Sequence, residues 1–278
     1  MNDMDDDDLS NISEDEDGIK PIDIGGTPPR QVPQDMPPFE SSPQVSGDHI
    51  GEDQQKPFLQ DTPETASSGG EKPVYIHRGE YVDLIEKIPA LKRIVIGAGW
   101  DQLSPEAELV DVDLSLFLCD KTDQTRIDED FIFYNNERAC DGAVHHLSDS
   151  RTGAGAGDDE EVFVDLNGLP FDIIKIVCVL SIYDPEIKGH NFSMIKNLYI
   201  RFVNKDDGQE IFRYAPAPED CQGGTAMTIG VLMREGPRWI YEATAETTNG
   251  GLAKIATDYG LIIREMQSSL DVDDDSIL

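Results

Sequence analysis

The stretch DVDLSLFLC, residues 111–119, alternates apolar side chains with the period of a β-strand. Alternation sends successive side chains to opposite faces of a sheet. One face then carries Val112, Leu114, Leu116 and Leu118, and the other carries Asp111, Asp113, Ser115 and Phe117. The stretch therefore predicts a strand that buries one face against a second layer.

Similar short runs recur along the chain, separated by turn residues and without helical periods between them. This pattern favours an all-β fold, an antiparallel β-sandwich. Near the end, in GGLAKIATDYGL, the apolar residues fall on one face of a short C-terminal helix. The predicted strands are 93–97, 111–119, 131–134, 161–166, 173–183, 198–203, 210–214, 226–233 and 238–244, and the helix residues are Leu252, Ile255, Ala256 and Tyr259.

Composition divides the chain into three parts. Residues 1–72 hold 18 acids, 4 bases and 9 prolines, and only two aromatics, Phe39 and Phe58. A segment so charged and so poor in apolar side chains cannot offset the cost of ordering, about 1–2 kcal/mol per residue. We expect a disordered acidic arm at 1–72, a sandwich domain at 73–265 and a disordered acidic tail at 266–278.

The formal net charge of −34 excludes some partners. Such a surface repels nucleic-acid phosphates, so we expect no direct nucleic-acid binding and expect cations as natural partners. No apolar run is long enough to form a transmembrane segment, and no signal peptide opens the sequence. These features predict a cytoplasmic location.

Two polar pairs stand at predicted strand ends. Asp111 and Asp113 leave the start of one strand in the same direction, about 7 Å apart at roughly 3.3 Å per residue. Asn135 and Asn136 end another strand; their amide oxygens suit hard cations, and both residues also favour turns. Each pair taken alone is compatible with a solvated strand end or a turn.

The loop HHLSDSRTGAGAGDDE, residues 145–160, adds four carboxylates: Asp149, Asp158, Asp159 and Glu160. Carboxylates that converge within about 5 Å repel by around 3 kcal/mol per pair at an effective dielectric near 20. The loop therefore requires a cation to close. A phosphate cradle is disfavoured because the glycines lead into four acids and a strand rather than into a helix N-terminus.

The same residues offer little for catalysis. The cysteines have no zinc spacing, and Cys119 and Cys178 lie in apolar runs typical of buried thiols. His145 and His146 point apart on a strand, and no nucleophile arrangement is evident. We expect no catalytic residues and no enzyme activity.

Several strings together resemble the TerD-type family of tellurium-resistance and stress-response proteins. They are IVIGAGWD, DVDLSLFLCD, DFIFYNN, SDSRTGAGAGDDEEVFVDL, YDPEIKGHNF and GGLAKIATDYG, in that order, and the likeness runs from residue 77 to 263. It implies a β-sandwich that binds calcium and is not established as an enzyme.

What the resemblance implies for this chain is a Ca²⁺ site and partners from the same resistance and stress system. The positions that match around the family's calcium site are Asp111, Asp113, Asn135, Asn136, Asp149, Asp158, Asp159 and Glu160. The family's usual Gly-Asp-Asn is Ser148-Asp149-Ser150 here, and its GEGEGDD is GAGAGDD. These departures predict weaker calcium affinity than in typical members.

Three functions remain open. The first is a calcium-binding module whose ordered loops engage protein partners, including a membrane-associated one. The second is a metal-dependent enzyme that acts on a phosphorylated or oxyanion substrate, with Arg151 and the two histidines nearby. The third is calcium-dependent docking of the domain to a membrane surface.

Overall fold

The computed structural model describes residues 74–104, 106, 108–149 and 157–263, without the side chains of 148 and 149. The predicted arm at 1–72 and tail at 266–278 lie outside these residues. The described strands are β1 (Val74–Ile76), β2 (Tyr81–Asp83), β3 (Arg93–Gln102), β4 (Val112–Cys119), β5 (Phe131–Ile132), β6 (Arg138–Ala139), β7 (Val144–Asp149), β8 (Glu160–Asp165), β9 (Lys175–Ile182), β10 (Ile195–Asn204), β11 (Glu210–Tyr214), β12 (Ala226–Glu235) and β13 (Arg238–Thr248). The helices are α1 (Leu84–Lys87), α2 (Pro185–Lys188) and α3 (Gly251–Asp258).

The strands form two sheets, which confirms the predicted sandwich. The first sheet has the order β1-β11-β10-β3-β8-β7-β6, and the second has the order β2-β13-β12-β9-β4-β5. Their ladders are antiparallel except at one edge, where β1 pairs parallel with β11. Parallel neighbours need a long crossover connection. The chain from 77 to 209 provides it, and it includes β2, β4, β5 and β9 of the second sheet.

The main core lies between the sheets, as the alternation in β4 predicts. Val112, Leu114, Leu116 and Leu118 all belong to this inter-sheet cluster. Contrary to the expectation of one buried and one polar face, every residue of β4 is buried. The opposite face of the strand is covered by a second apolar layer.

This second layer is built by α3 and a row of stacked aromatic rings. Ile255 and Ala256 of α3 are buried against Phe117 and Phe131, and Leu252 and Tyr259 pack at the margin. The rings of Phe117 and Phe131 stack with centroids 4.3 Å apart. The predicted C-terminal helix and its apolar face are therefore confirmed.

The remaining differences concern short or polar elements. β1, β2 and β6 are two or three residues long and carry no readable alternation. The start of the predicted loop 145–160 belongs to β7, which pairs with β8 from Val144 to Asp149. No helix in the described ranges is long and apolar enough to cross a bilayer.

Candidate cation site at one end of the sandwich

The ladder registers bring the predicted site residues to one end of the sandwich, which we call the acidic end. Val112 at the start of β4 lies opposite Ile182 at the end of β9. Glu160 at the start of β8 lies between Ala98 of β3 and Asp149 of β7. The two sheets meet there, because Trp100 Nε1 of β3 donates to the carbonyl oxygen of Val110, just before β4, at 3.3 Å. The starts of β4 and β8 and the ends of β7 and β9 therefore share one end. These positions are far apart in the sequence, and strand pairing brings them to the same end of the sandwich.

Asp111 and Asp113 stand at this end of the second sheet. Asp113 is 9% exposed and lies opposite Ser181 of β9, which is 1% exposed. Asp111 is half-buried, and its carbonyl oxygen accepts a hydrogen bond from the Tyr183 N–H at 3.0 Å. Asp113 is on the face of β4 that also carries Phe117, opposite to the inter-sheet core. Asp111 precedes the first residue of β4, so the sharing of one face by the two carboxylates stays a prediction.

Asn135 and Asn136 occupy a tight turn between β5 and β6. Phe133 and Asn136 exchange two backbone hydrogen bonds, at 3.2 and 2.9 Å. The Asn136 side chain donates through Nδ2 to the carbonyl oxygens of Glu129 (3.1 Å) and Phe131 (2.6 Å). Asn136 thus stabilises the turn, while Asn135 at its tip is exposed. Both amide oxygens retain the ability to accept a further bond or ligate a cation.

Asp159 is held at the edge between β3 and β8. Its backbone N–H donates to the Ala98 carbonyl oxygen at 2.8 Å, and its Oδ2 accepts from the Trp100 N–H at 3.0 Å. The residue is 7% exposed. Burial raises the pKa of Asp159, and the nearby charges of Asp101 and Asp158 raise it further. A positive neighbour would therefore stabilise the charged form of the Asp159 carboxyl group.

Glu160 points in the direction of the inter-sheet core. It is in phase with Val162 and Val164, both of which belong to that core, and is 2% exposed. Its Oε2 lies 3.8 Å from His146 Nδ1. His145, the next residue back, instead packs its ring on Phe163 at a centroid distance of 4.7 Å. The two histidines therefore point apart, as predicted.

Asp158 lies on the outer face of the first sheet. Arg201 of β10 donates through Nε to both Asp158 oxygens, at 2.7 and 2.9 Å, and the Tyr199 hydroxyl donates to Oδ1 at 2.8 Å. The carboxylate fits there because Gly97 lacks a side chain: a Cβ at Gly97 would stand 1.9 Å from Asp158 Oδ2. In this arrangement Asp158 serves as the partner of an arginine.

The described side chains do not converge on a single point. Within residues 74–104, 106, 108–149 and 157–263, no three His, Cys, Asp or Glu side chains are grouped closely enough to hold a metal ion. The side chain of Asp149 and the segment 150–156 lie outside the described residues, as does Arg151. The described part thus supplies separate carboxylates around the acidic end.

Sequence reasoning missed two contacts at this end. Asp101 Oδ2 accepts from Asn197 Nδ2 at 2.5 Å, and its charge acts on Asp159. Arg201 approaches Asp158 from 43 residues further along the chain. Asp101 could have been singled out, because it is the acid that ends the string IVIGAGWD. The Arg201 contact depends on strand pairing and has no local signal.

The fold and the acidic end define an all-β domain with an oxygen-rich end, and comparison with known proteins gives its family. The TerD domain matches residues 73–259, so the chain belongs to the TerD family of tellurium-resistance and stress-response proteins.

Among its relatives is the tellurium resistance protein TerD of Serratia marcescens, 37% identical over 188 residues, which cover 68% of this chain and 97% of that protein. General stress protein 16U of Bacillus subtilis is 40% identical over 189 residues, covering 68% of this chain and 97% of that protein. A solved structure of a TerD homologue from Streptomyces coelicolor, described as a telluride resistance protein homologue, aligns with a TM-score of 0.50 at 19% identity. It covers 60% of this chain and 96% of that one. The structural likeness supports the same fold.

Proposed function

We propose that this chain is a cytoplasmic, non-enzymatic Ca²⁺-binding module of a tellurite-resistance or general stress response. The observation that carries the proposal is the pair of adjacent buried carboxylates, Asp159 at 7% and Glu160 at 2% exposure, at the same end as Asp113 at 9%. Removing carboxylates from water is costly unless positive charge or hydrogen bonds compensate. A cation shared at this end would offset that cost.

The donor chemistry fits calcium. Candidate ligands in the described part are carboxylate and amide oxygens, and Ca²⁺ takes six to eight such oxygens in flexible geometry. The residues that would contribute to one ion or two are Asp111, Asp113, Asn135, Asp159 and Glu160, together with Asp149. Asn136 and Asp158 are weaker candidates, because their side chains are engaged with the β5–β6 turn and with Arg201. When bound, the cation supplies positive charge that draws these oxygens together.

The acidic end also offers a surface for a protein partner. Large apolar side chains are exposed on the loops and strands that surround it: Leu103 (56%), Leu109 (46%), Leu147 (40%), Ile187 (85%) and Met194 (40%). Apolar groups that cluster beside a polar site are typical of interaction surfaces. We propose that calcium orders this end and that another protein of the same resistance or stress system then binds there.

A matched pair of variants tests the calcium site. Free Ca²⁺ at 100 times Kd stabilises a protein that binds it only when folded by about 2.7 kcal/mol. In thermal unfolding, calcium should raise the melting temperature of the wild type and of Glu161→Gln. It should raise that of Glu160→Gln only slightly. Glu161 is the neighbouring residue in β8, is half-buried and points the other way. Equal calcium responses in the two variants would sink the assignment of Glu160.

A second candidate is calcium-dependent docking to an anionic membrane, which the exposed Ile187 and Leu103 favour. Vesicles of phosphatidylcholine with and without phosphatidylserine separate it from the first. Co-sedimentation that requires both phosphatidylserine and calcium, and that falls in Ile187→Ser, would favour the membrane. Calcium binding without co-sedimentation would leave the protein-partner function alone.

A further inference from the structure

A cleft lies at the end of the sandwich opposite to the acidic end. Its volume is about 550 Å³, and it opens between the segment before β3, the loop after β8 and the β12–β13 turn. Lys92 on one wall is eight residues before Trp100, which contacts Asp159 at the acidic end. At roughly 3.3 Å per residue the two ends are about 26 Å apart along β3.

The floor of the cleft is apolar and rigid. Leu91, Leu166 and Trp239 line it and are 5%, 2% and 3% exposed. The Leu166 N–H donates to the Lys92 carbonyl oxygen at 2.8 Å, which ties two of its walls together. Phe171 on the rim is 89% exposed and is the most exposed large apolar side chain in the described part. The exposed Phe171 ring can therefore pack against a ligand in the cleft.

Arg234 projects between the floor and the rim. Its guanidinium carbon lies 5.1 Å from the ring centroid of Phe171 and 5.5 Å from that of Trp239. Nη1 donates to the Pro170 carbonyl oxygen at 3.1 Å. One backbone hydrogen bond and two rings therefore orient the guanidinium, and its other N–H donors make no hydrogen bond to the described residues. An oriented guanidinium suits the planar, bidentate recognition of carboxylate or phosphate oxygens.

The cleft is a cationic exception on an acidic protein. The chain has 56 acids against 22 Lys and Arg, yet none of the described residues that line the cleft is Asp or Glu. Arg234 and Lys92 form no salt bridge within the described part, whereas Arg238 beside them pairs with Glu235 and Asp83. Two cations without a salt bridge in the described part, over an apolar floor, are the complement of an anion that carries an apolar body.

We propose that this cleft binds a small organic anion, with its carboxylate or phosphate on Arg234 and Lys92 and its apolar or aromatic body against the apolar floor, where Trp239 lies, and the Phe171 rim. Its volume lies in the range of small-molecule sites, about 300–1,000 Å³. The site is separate from the calcium proposal, because no candidate calcium ligand contributes to its lining. A failure of one proposal therefore leaves the other standing.

The test is a titration of the full chain, followed by two-dimensional amide and indole NMR. The probes are phenyl phosphate and benzoate, with inorganic phosphate and benzyl alcohol as controls for the anion alone and the ring alone. We expect saturable shifts centred on the Trp239 indole, Lys92 and Arg234 for at least one of the two aromatic anions. Whichever of them binds more tightly identifies the anionic group. Calcium is left out of one series and added to another, and the shifts should be the same in both.

Variants locate the binding. Arg234→Gln should weaken the better probe by about tenfold or more, as expected for loss of a charge-assisted contact. Phe171→Ala should weaken binding of the same probe severalfold. Because Phe171 is exposed, this variant should fold even if Arg234→Gln does not. The controls are Arg238→Gln, an equal charge change outside the cleft, and Ile187→Ala, an equally exposed apolar side chain at the other end. Both should bind as the wild type does.

Four results would overturn the proposal. The first is the absence of saturable shifts with either aromatic anion. The second is shifts centred away from the cleft, and the third is unchanged affinity in folded Phe171→Ala. The fourth is a control that binds as tightly as the aromatic anions. Tight binding of inorganic phosphate would mean a counterion site only, and tight binding of benzyl alcohol would mean an apolar site only.

Discussion

Arg201 holds the carboxylate of Asp158 on the outer face of the first sheet, with Nε 2.7 Å from Oδ1 and 2.9 Å from Oδ2. Glu160, two residues further on, is buried in phase with the inter-sheet core. Asp159 between them accepts from the backbone of β3. The three consecutive acids of the loop therefore have three different environments, and substitutions at each should have different consequences.

Asp158→Asn should destabilise the domain. The Arg201 side chain is 25% exposed and that of Asp158 is 1% exposed, so loss of the charge leaves a largely buried guanidinium with a weaker partner. We expect a loss of about 1–3 kcal/mol in the free energy of unfolding, measured by urea denaturation. A double-mutant cycle with Arg201→Gln provides the control. Strictly additive effects would show that the two groups do not interact.

Gly97→Ala should also act through Asp158. A Cβ at Gly97 would stand 1.9 Å from Asp158 Oδ2, so the carboxylate would have to leave Arg201. We expect a destabilisation comparable to that of Asp158→Asn, with a shifted Arg201 Nε resonance in NMR spectra. In the Asp158→Ala background the same glycine substitution should lower the free energy of unfolding much less. An equal loss of stability in both backgrounds would show that Gly97→Ala does not act through Asp158.

Glu210 should make stability depend on pH in the acidic range. Burial alone would raise its pKa, but hydrogen bonds and charges from Arg213 and Arg201 outweigh burial and hold the pKa below the ordinary value of 4.5. A lowered pKa in the folded state contributes stability above the unfolded pKa, and that contribution is lost as pH falls through the folded pKa. The wild type should exceed Glu210→Gln in unfolding free energy near neutrality.

This advantage should shrink only as the pH drops below 4.5, the ordinary pKa of the group. Urea denaturation from neutral to acid pH measures it. Glu219→Gln, which alters an exposed side chain, is the control and should follow the wild type throughout. A constant difference between wild type and Glu210→Gln across the series would contradict the assignment.

The thiols should be unreactive in the folded protein. Burial raises the pKa of Cys119 to about 12 and those of Cys140 and Cys221 to about 11, and it raises that of Cys178 as well. Since the thiolate is the reactive form, Ellman's reagent should react slowly with native protein and at once with unfolded protein. Cys140 is the least buried, so Cys140→Ser should remove most of any native reaction. Rapid reaction of the native wild type would refute this prediction.

The fold was largely readable from the sequence, because its long strands carry continuous or alternating apolar runs. β7 was not predicted because the polar string HHLSD has no alternation of apolar residues, and β6 was not predicted because it has only two residues. The burial of both faces of β4 was not predictable from its own residues. It depends on α3, which arrives more than a hundred positions later and covers Phe117.

From the sequence, the candidate site could be predicted as a set of residue types but not as a geometry. The direction of each acid depends on partners from distant strands. Asp158 turns outward because Gly97 leaves space and Arg201 lies opposite, and neither fact is local to the acidic loop. The cleft around Arg234 had no sequence signal, since its walls come from three separate connections.

A calcium titration of the full chain by two-dimensional amide NMR shows whether the acidic end binds calcium. We expect saturable shifts at Asp111, Asp113, Asp159 and Glu160, with small changes around the distant Arg234 cleft. These shifts should be reduced in Glu160→Gln and retained in Glu161→Gln. Shifts confined to residues 1–72, or no saturable shifts at the acidic end, would show that this end is not a calcium site.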